Sequence, residues 1–179
     1  MTLRSSDQPD LPDLFVAVAH KMARSLLVLG AIGLMACASL EASTPEPGGQ
    51  QLPIQARTLI GTQEILLEVA RTPEQQEIGL MFRRDLPPDR GMLFPFEQSR
   101  MARFWMKNTL IPLDMVFLRE GRVVAIEANV PPCRQDPCPS YGPSLWVDAV
   151  LELPAGRSAQ LGLKVGDRLT ITPAPPAKP

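Results

Sequence analysis

The sequence predicts a mainly β fold: one compact β-sandwich or partly open barrel of short strands, with one or two short helices. Three observations lead there. Apolar residues alternate with polar ones over runs of five to nine residues, the period of half-buried strands. Turn-forming residues, including many of the 20 prolines, punctuate those runs. The composition, 45% hydrophobic and 21% charged, is that of an ordinary globular protein.

In chain order, a first strand is expected over Ile54 to Leu59 and a second over Glu64 to Ala70, with Gly61-Thr62 turning between them. Ile65, Leu67 and Val69 share one face of the second strand and Glu68 lies opposite. Thr72-Pro73-Glu74-Gln75 carries a helix start: a capping hydroxyl, proline at the first helical position and a glutamine that closes a capping box. The helix is expected to reach about Phe82, with Ile78, Met81 and Phe82 as its buried stripe. Leu86 to Gly91, with two prolines, reads as a loop.

Strands follow at Gly91 to Pro95, Arg100 to Lys107, Asp114 to Arg119 and Arg122 to Val130, the last two joined by a hairpin turn at Glu120-Gly121. Ser144 to Leu153 is expected to place Val147, Ala149, Leu151 and Leu153 on one side. Trp146, Asp148, Val150 and Glu152 take the other. A short helix near Gly156 to Leu161 then leads to a final strand, Arg168 to Thr172. The tail from Pro173 to Pro179 (PAPPAKP) is too polar and proline-rich to pack and is expected to be disordered.

The N-terminal region points to export. Met22 to Arg24 is followed by the apolar run SLLVLGAIGLMA and then Cys37, the layout of a signal peptide. The run is shorter than the roughly 20 residues a spanning helix requires. LMAC (Leu34 to Cys37) is similar to a bacterial lipobox, in which Cys37 would carry the lipid and become the mature N-terminus. Cleavage after Ala42 without lipid, or a buried core helix, are the competing readings. Residues 1–21 carry three aspartates, unlike an ordinary cationic leader, so translation is expected to begin at Met22. Residues 38–56 read as a flexible spacer and 57–172 as the folded domain. The expected location is the extracytoplasmic face of a membrane, held there by the lipid.

Charge and composition narrow the chemistry. A net charge of −1 offers no basic excess for a phosphate backbone, so no nucleic acid partner is expected. The single histidine, His20, lies before the leader, so a mature domain would have to work without imidazole. No cofactor and no metal site are expected. Cys133 and Cys138 form a C-x4-C pair for which a disulfide is the leading expectation in an oxidising compartment. Free or redox-active thiols and a metal clip remain open.

Several of these segments, taken together, resemble one family. GLMFR (Gly79 to Arg83), GMLF (Gly91 to Phe94), FWMKNT (Phe104 to Thr109), IPLDMVF (Ile111 to Phe117), PPCRQDPCPSYG (Pro131 to Gly142), LELPAG (Leu151 to Gly156) and Gly166-Asp167 are similar to DUF192. The resemblance spans roughly Leu59 to Ile171. It implies a compact, mostly β domain, often exported and sometimes lipidated, and it implies no reaction, substrate or cofactor.

Candidate site residues fall in the middle of the chain. With Arg100 to Asn108 as a strand, Arg103, Trp105 and Lys107 point one way, an indole between two cations that can stack on a ring while the cations hold an anion. A solvated face whose long side chains cover Trp105 is the plainer alternative. Asn108 and Asp114 flank the next connection and extend this candidate ligand surface. Asp114 with Glu152, or with Asp148, is a candidate carboxylate pair for histidine-free glycan hydrolysis, against a structural role in bonding backbone N–H groups. Arg83 or its neighbour Arg84 is expected to pair with Asp114 or Glu152, or to bind an anion, Arg83 being the candidate for the ligand surface. Met81, Met92, Met101, Met106 and Met115 are candidate thioether ligands for Cu(I), but their irregular spacing also suits core filling. The sequence therefore predicts a ligand-binding or accessory module of the cell envelope, with an envelope ligand or protein as partner. An envelope hydrolase and a copper handler are the alternatives.

Overall fold

A computed structural model describes residues 49–175, which hold nine strands and two short helices. The expectations for the leader, for Cys37 and for most of the spacer and the tail's end fall outside these residues. The strands are β1 (Ile54–Ile60), β2 (Gln63–Val69), β3 (Arg90–Arg100), β4 (Phe104–Trp105), β5 (Leu113–Arg119), β6 (Arg122–Val130), β7 (Ser140–Tyr141), β8 (Val147–Pro154) and β9 (Thr172–Pro173). The helices are α1 (Pro73–Ile78) and α2 (Arg157–Gln160). Seven strands form one sheet in the order β6-β5-β8-β3-β2-β1-β9, and β4 pairs with β7 as a separate ribbon. The fold is mainly β, as expected, and the described strands do not close into a barrel.

Both faces of the large sheet are buried. On β5, Val116 and Leu118 join a cluster with Ile65, Leu67, Leu151 and Leu153, whereas Leu113, Met115 and Phe117 join a second cluster with Met92, Phe94 and Val150. Alternation along one strand thus feeds two cores. The first is completed by Leu163 and Leu169, which arrive after α2. Within that core Thr58 is buried and its hydroxyl has no hydrogen-bond partner. Replacing it with the near-isosteric valine removes an unsatisfied polar atom. Thr58→Val should therefore raise unfolding stability by about 1 kcal/mol, read from urea denaturation.

The second core is covered by two structures. Neighbouring β2 and β3 run parallel, so the chain must cross over between them. Residues 70–89 make that crossover, and Ala70, Leu80 and Leu86 seal the core from above. Beside them lies the β4–β7 ribbon, docked through Phe104, whose ring stands edge-on to Phe94 at 5.1 Å and to Phe117 at 6.4 Å.

Helix α1 begins as expected: Thr72 accepts from the Gln75 amide and the Gln75 side chain returns to the Thr72 amide. It ends sooner than expected, at Ile78, because Gly79 turns at φ 48° beneath the Phe94 ring, where a Cβ would crowd the ring carbons. That turn changes which residues face inward. Leu80 enters the core, while Ile78 and Phe82, expected to be buried, are 40% and 49% exposed. The predicted strand from Arg100 to Lys107 also contracts. Arg100 ends β3, where it pairs with Val147, and of the rest only Phe104 and Trp105 pair, because the chain turns at Asn108, whose φ is 57°. The final strand, expected over Arg168 to Thr172, is instead β9 at Thr172–Pro173, while Arg168 makes only an isolated bridge to Arg122. Pro173, expected in a disordered tail, is thus held in the sheet by pairing with Ala56 and by the Ala174 amide bonding the Gln55 carbonyl.

Candidate functional site

Asp114 is fully buried and its carboxylate accepts four hydrogen bonds. Oδ1 takes the amides of Asn129 (2.8 Å) and Gly156 (2.9 Å); Oδ2 takes the Ser158 amide (2.9 Å) and the Ser158 hydroxyl (2.6 Å). It ties β5 to the end of β6 and to the start of α2. All of its bonds are internal, which is the structural role.

The proposed carboxylate pair does not form. Asp114 stands opposite Leu153 across the β5–β8 ladder, and Glu152 stands opposite Met115. Cross-strand partners share a face, so Asp114 belongs to the Leu153 side and Glu152 to the Met115 side. The two carboxyl groups project from opposite faces of one sheet and cannot flank one bond. Asp148, the other proposed partner, accepts from the Glu120 amide at 2.6 Å and holds the β5–β6 hairpin.

Arg83 is also elsewhere than expected. It meets neither Asp114 nor Glu152 but pairs with buried Glu68 in a forked contact of 3.1–3.2 Å, and it donates to the Gln50 carbonyl at 3.0 Å. Glu68 in turn accepts the Leu52 amide at 2.8 Å. The pair clamps the chain entering the domain to the loop after α1. Removing one partner strands the other charge in the interior. Arg83→Ala should lose about 3 kcal/mol of stability, measured by chemical denaturation, with Arg83→Met/Glu68→Met recovering part of it.

Arg103, Trp105 and Lys107 do share the outer side of the ribbon, as the alternation predicted. Arg103 donates to the Gly142 carbonyl, and the Lys107 ammonium lies over the Trp105 ring at 5.5 Å and 3.9 Å from Asp136. Trp105 keeps 49% of its surface exposed. Asn108 is exposed too, bonding the Phe82 amide through its carbonyl at 2.8 Å and the Met81 sulfur through its side chain at 3.8 Å. Cys133 and Cys138 are disulfide-bonded in the adjoining loop. Asp114 is not part of this surface.

Beneath Trp105 lies a half-open pocket of about 40 Å³ between α1, the loop after it and the ribbon. Ile78, Leu80, Met81, Phe94 and Phe104 make its apolar walls, with Gln76, Glu77, Thr109 and Glu152 as its polar lining. Glu152 is only 4% exposed, and no hydrogen bond to its carboxyl is present among the described residues. Its cross-strand neighbours are Met92 and Met115, both fully buried. Burial in this apolar setting pushes the carboxyl up to about 8, so at neutral pH it is largely protonated and has a proton to offer a ligand. Gly91 allows the close strand pairing here: a Cβ would lie 2.8 Å from the Glu152 carbonyl oxygen.

Gln76, Leu80 and Thr109 were missed by sequence reasoning. Nothing local signals them, because a parallel crossover and a separate ribbon bring them to Glu152. The methionines divide: Met92, Met106 and Met115 are buried in the second core, Met81 lines the pocket and Met101 is exposed. Larger hollows lie apart, among them one of about 300 Å³ between Leu59–Gly61 and Leu161–Leu163 and two lined by arginines. One, of about 370 Å³, is bordered by Arg57 and Arg168, but Arg57 pairs with Glu64 at 2.8 Å and Arg168 bonds the Glu120 carbonyl. In the other, Arg100 is stacked on Phe96 at 3.8 Å.

Comparison with known proteins agrees with the fold and supplies no reaction. A family model, DUF192, described as an uncharacterized ACR, matches residues 56–171. No curated protein matches the chain. Among solved structures, a Sinorhizobium meliloti 1021 protein described as a candidate transcription regulator is similar at 37% identity and a TM-score of 0.60, the match covering 69% of this chain and 97% of that one. A protein of unknown function from Novosphingobium aromaticivorans DSM 12444 is similar at 36% identity and a TM-score of 0.61, covering 73% and 94%.

Proposed function

We propose, from the premise that this chain belongs to the DUF192 family, that it is a ligand-binding module of the cell envelope, exported and lipid-anchored through Cys37. Its site is the Trp105 surface together with the pocket below it. The observation that carries this reading is the juxtaposition of a half-exposed indole with a buried carboxyl that has no hydrogen-bond partner among the described residues. A carboxyl left without a partner in so apolar a setting is a cost to the fold, and the half-exposed indole beside it offers apolar surface to a ligand. Groups left in such states at one concavity suit a ligand that supplies the missing contacts.

The export reading is supported by the leader, the lipobox-like LMAC and the spacer, all in the sequence. No helix among the described residues is long and apolar enough to cross a membrane. The spacer meets the domain at the Gly79–Arg83 loop, where Gln50 donates to the carbonyls of Gln75 and Gly79. An anchored domain would thus be tethered on the side that carries the pocket. The regulator description of the Sinorhizobium protein is not carried over, because a net charge of −1 gives little electrostatic attraction for nucleic acid.

The test is Trp105 fluorescence in a Trp146→Phe background, titrated with envelope glycans and small anions. A saturable change is expected, and Trp105→Ala, followed by calorimetry because it removes the remaining tryptophan, should lose the binding. A flat signal with every glycan and anion would contradict the reading.

A further inference from the structure

The geometry points to an N-acetylated sugar as the ligand class: the ring stacks on Trp105 while its acetamido group enters the pocket and accepts a hydrogen bond from the Glu152 carboxyl. This rests on the proposed binding role and adds the chemistry that the site selects.

Size sets the division of the ligand. A pocket of about 40 Å³ admits a group of a few atoms but no six-membered ring, so whatever enters must be a small substituent. The ring has to remain outside, where the exposed indole offers an apolar platform.

Polarity sets the substituent. Leu80, Phe94 and Phe104 provide apolar wall for a methyl group. Glu152 lies between Met92 and Met115 of the adjacent strands, with Gln76 and Glu77 on α1 and Thr109 after the ribbon as the polar groups around the pocket. Of these neighbours only Glu77 titrates, and it is exposed. No cation lines the pocket, so a carboxylate or phosphate would enter without a counter-charge and be disfavoured. An ammonium is disfavoured as well, because the Glu152 carboxyl is largely neutral at pH 7. What fits is a neutral carbonyl carrying a methyl group. Gln76 already donates its side-chain amide to the carbonyls of Ala70 and Pro95, so its own carbonyl oxygen is the acceptor on offer to an amide N–H.

The experiment titrates the full chain carrying Trp146→Phe with N-acetylglucosamine, glucose, glucosamine and N-acetylalaninamide at pH 6 and pH 9. The expected result is a fluorescence change with N-acetylglucosamine that is at least tenfold weaker with glucose and glucosamine. Binding should fall about tenfold per pH unit once Glu152 loses its proton. Glu152→Gln, which keeps a donor but cannot titrate, should bind equally at both pH values. Glu152→Leu should lose the preference for the acetyl group. Equal binding of glucose, or pH-independent binding by the unaltered protein, overturns the inference and leaves the binding role standing. Equal binding of N-acetylalaninamide overturns the sugar assignment in favour of an acylated peptide. Absence of response to all four probes and to polymeric glycans overturns the binding role itself.

Discussion

Asp114→Ala should destabilise the domain by about 5 kcal/mol, enough to leave little folded protein at 37 °C. The substitution removes the one acceptor shared by the amides of Asn129, Gly156 and Ser158 and by the Ser158 hydroxyl. The two Ser158 donors would be left unsatisfied in the interior at about 1–3 kcal/mol each, and the part-buried amides of Asn129 and Gly156 would lose about 1 kcal/mol apiece. The damage would spread along the chain, because Asn129 is held at φ 54° and Gly156 at φ 75° by these bonds. Asp114→Asn keeps the shape but turns an N–H donor toward other donors, and should lose roughly 3 kcal/mol. Urea denaturation of the two variants gives both values. A loss below 1 kcal/mol for the alanine variant would contradict the structural assignment.

Glu152 should make stability fall with rising pH. Its carboxyl holds a proton up to about 8 in the folded domain, whereas the unfolded chain releases it near the ordinary value of 4.5. Between those values the native state binds more protons than the unfolded state, so alkali favours unfolding. The stabilising contribution is full below about pH 4.5 and is lost as pH rises through about 8. The change across that window is on the order of 4 kcal/mol, since each pKa unit is worth about 1.4 kcal/mol. Glu152→Gln should flatten this contribution and exceed the unaltered protein in stability at pH 8.5. Denaturation curves at pH 5 and pH 8.5 measure it, and identical slopes with pH for the two proteins would contradict the buried-acid assignment.

These two carboxylates also show how far the sequence could be read. The β1–β2 hairpin, the capping box of α1, the Glu120-Gly121 turn and the outward set Arg103, Trp105 and Lys107 all followed from local pattern. Each depends on alternation or on turn chemistry within a few residues. The face taken by Asp114 was not legible. Both sides of β5 are apolar because both faces of the sheet are buried, so periodicity assigns no inside or outside there. Once the β5–β8 register is known, separation of Asp114 from Glu152 follows from parity alone.

The partner of Arg83 was hidden for a related reason. Glu68 sits on the polar side of an alternating strand and reads as exposed, yet the entering chain and the Gly79–Arg83 loop cover it. The pocket depended on the parallel β2–β3 crossover, which brings Gln76 and Leu80 over Glu152 from far along the chain. No short-range signal distinguishes that crossover from another antiparallel turn. Local chemistry was readable, whereas groups assembled by topology were not.

The most direct measurement is a pH titration of the Glu152 side-chain carboxyl by carbon-13 NMR, with and without N-acetylglucosamine. The predicted midpoint lies near 8 in the free protein. It should move higher with the sugar, because a ligand bound by the protonated carboxyl holds that proton in place. A midpoint near 4.5, or one near 8 that saturating sugar leaves unmoved, would contradict the account of this pocket as a proton-donating binding site.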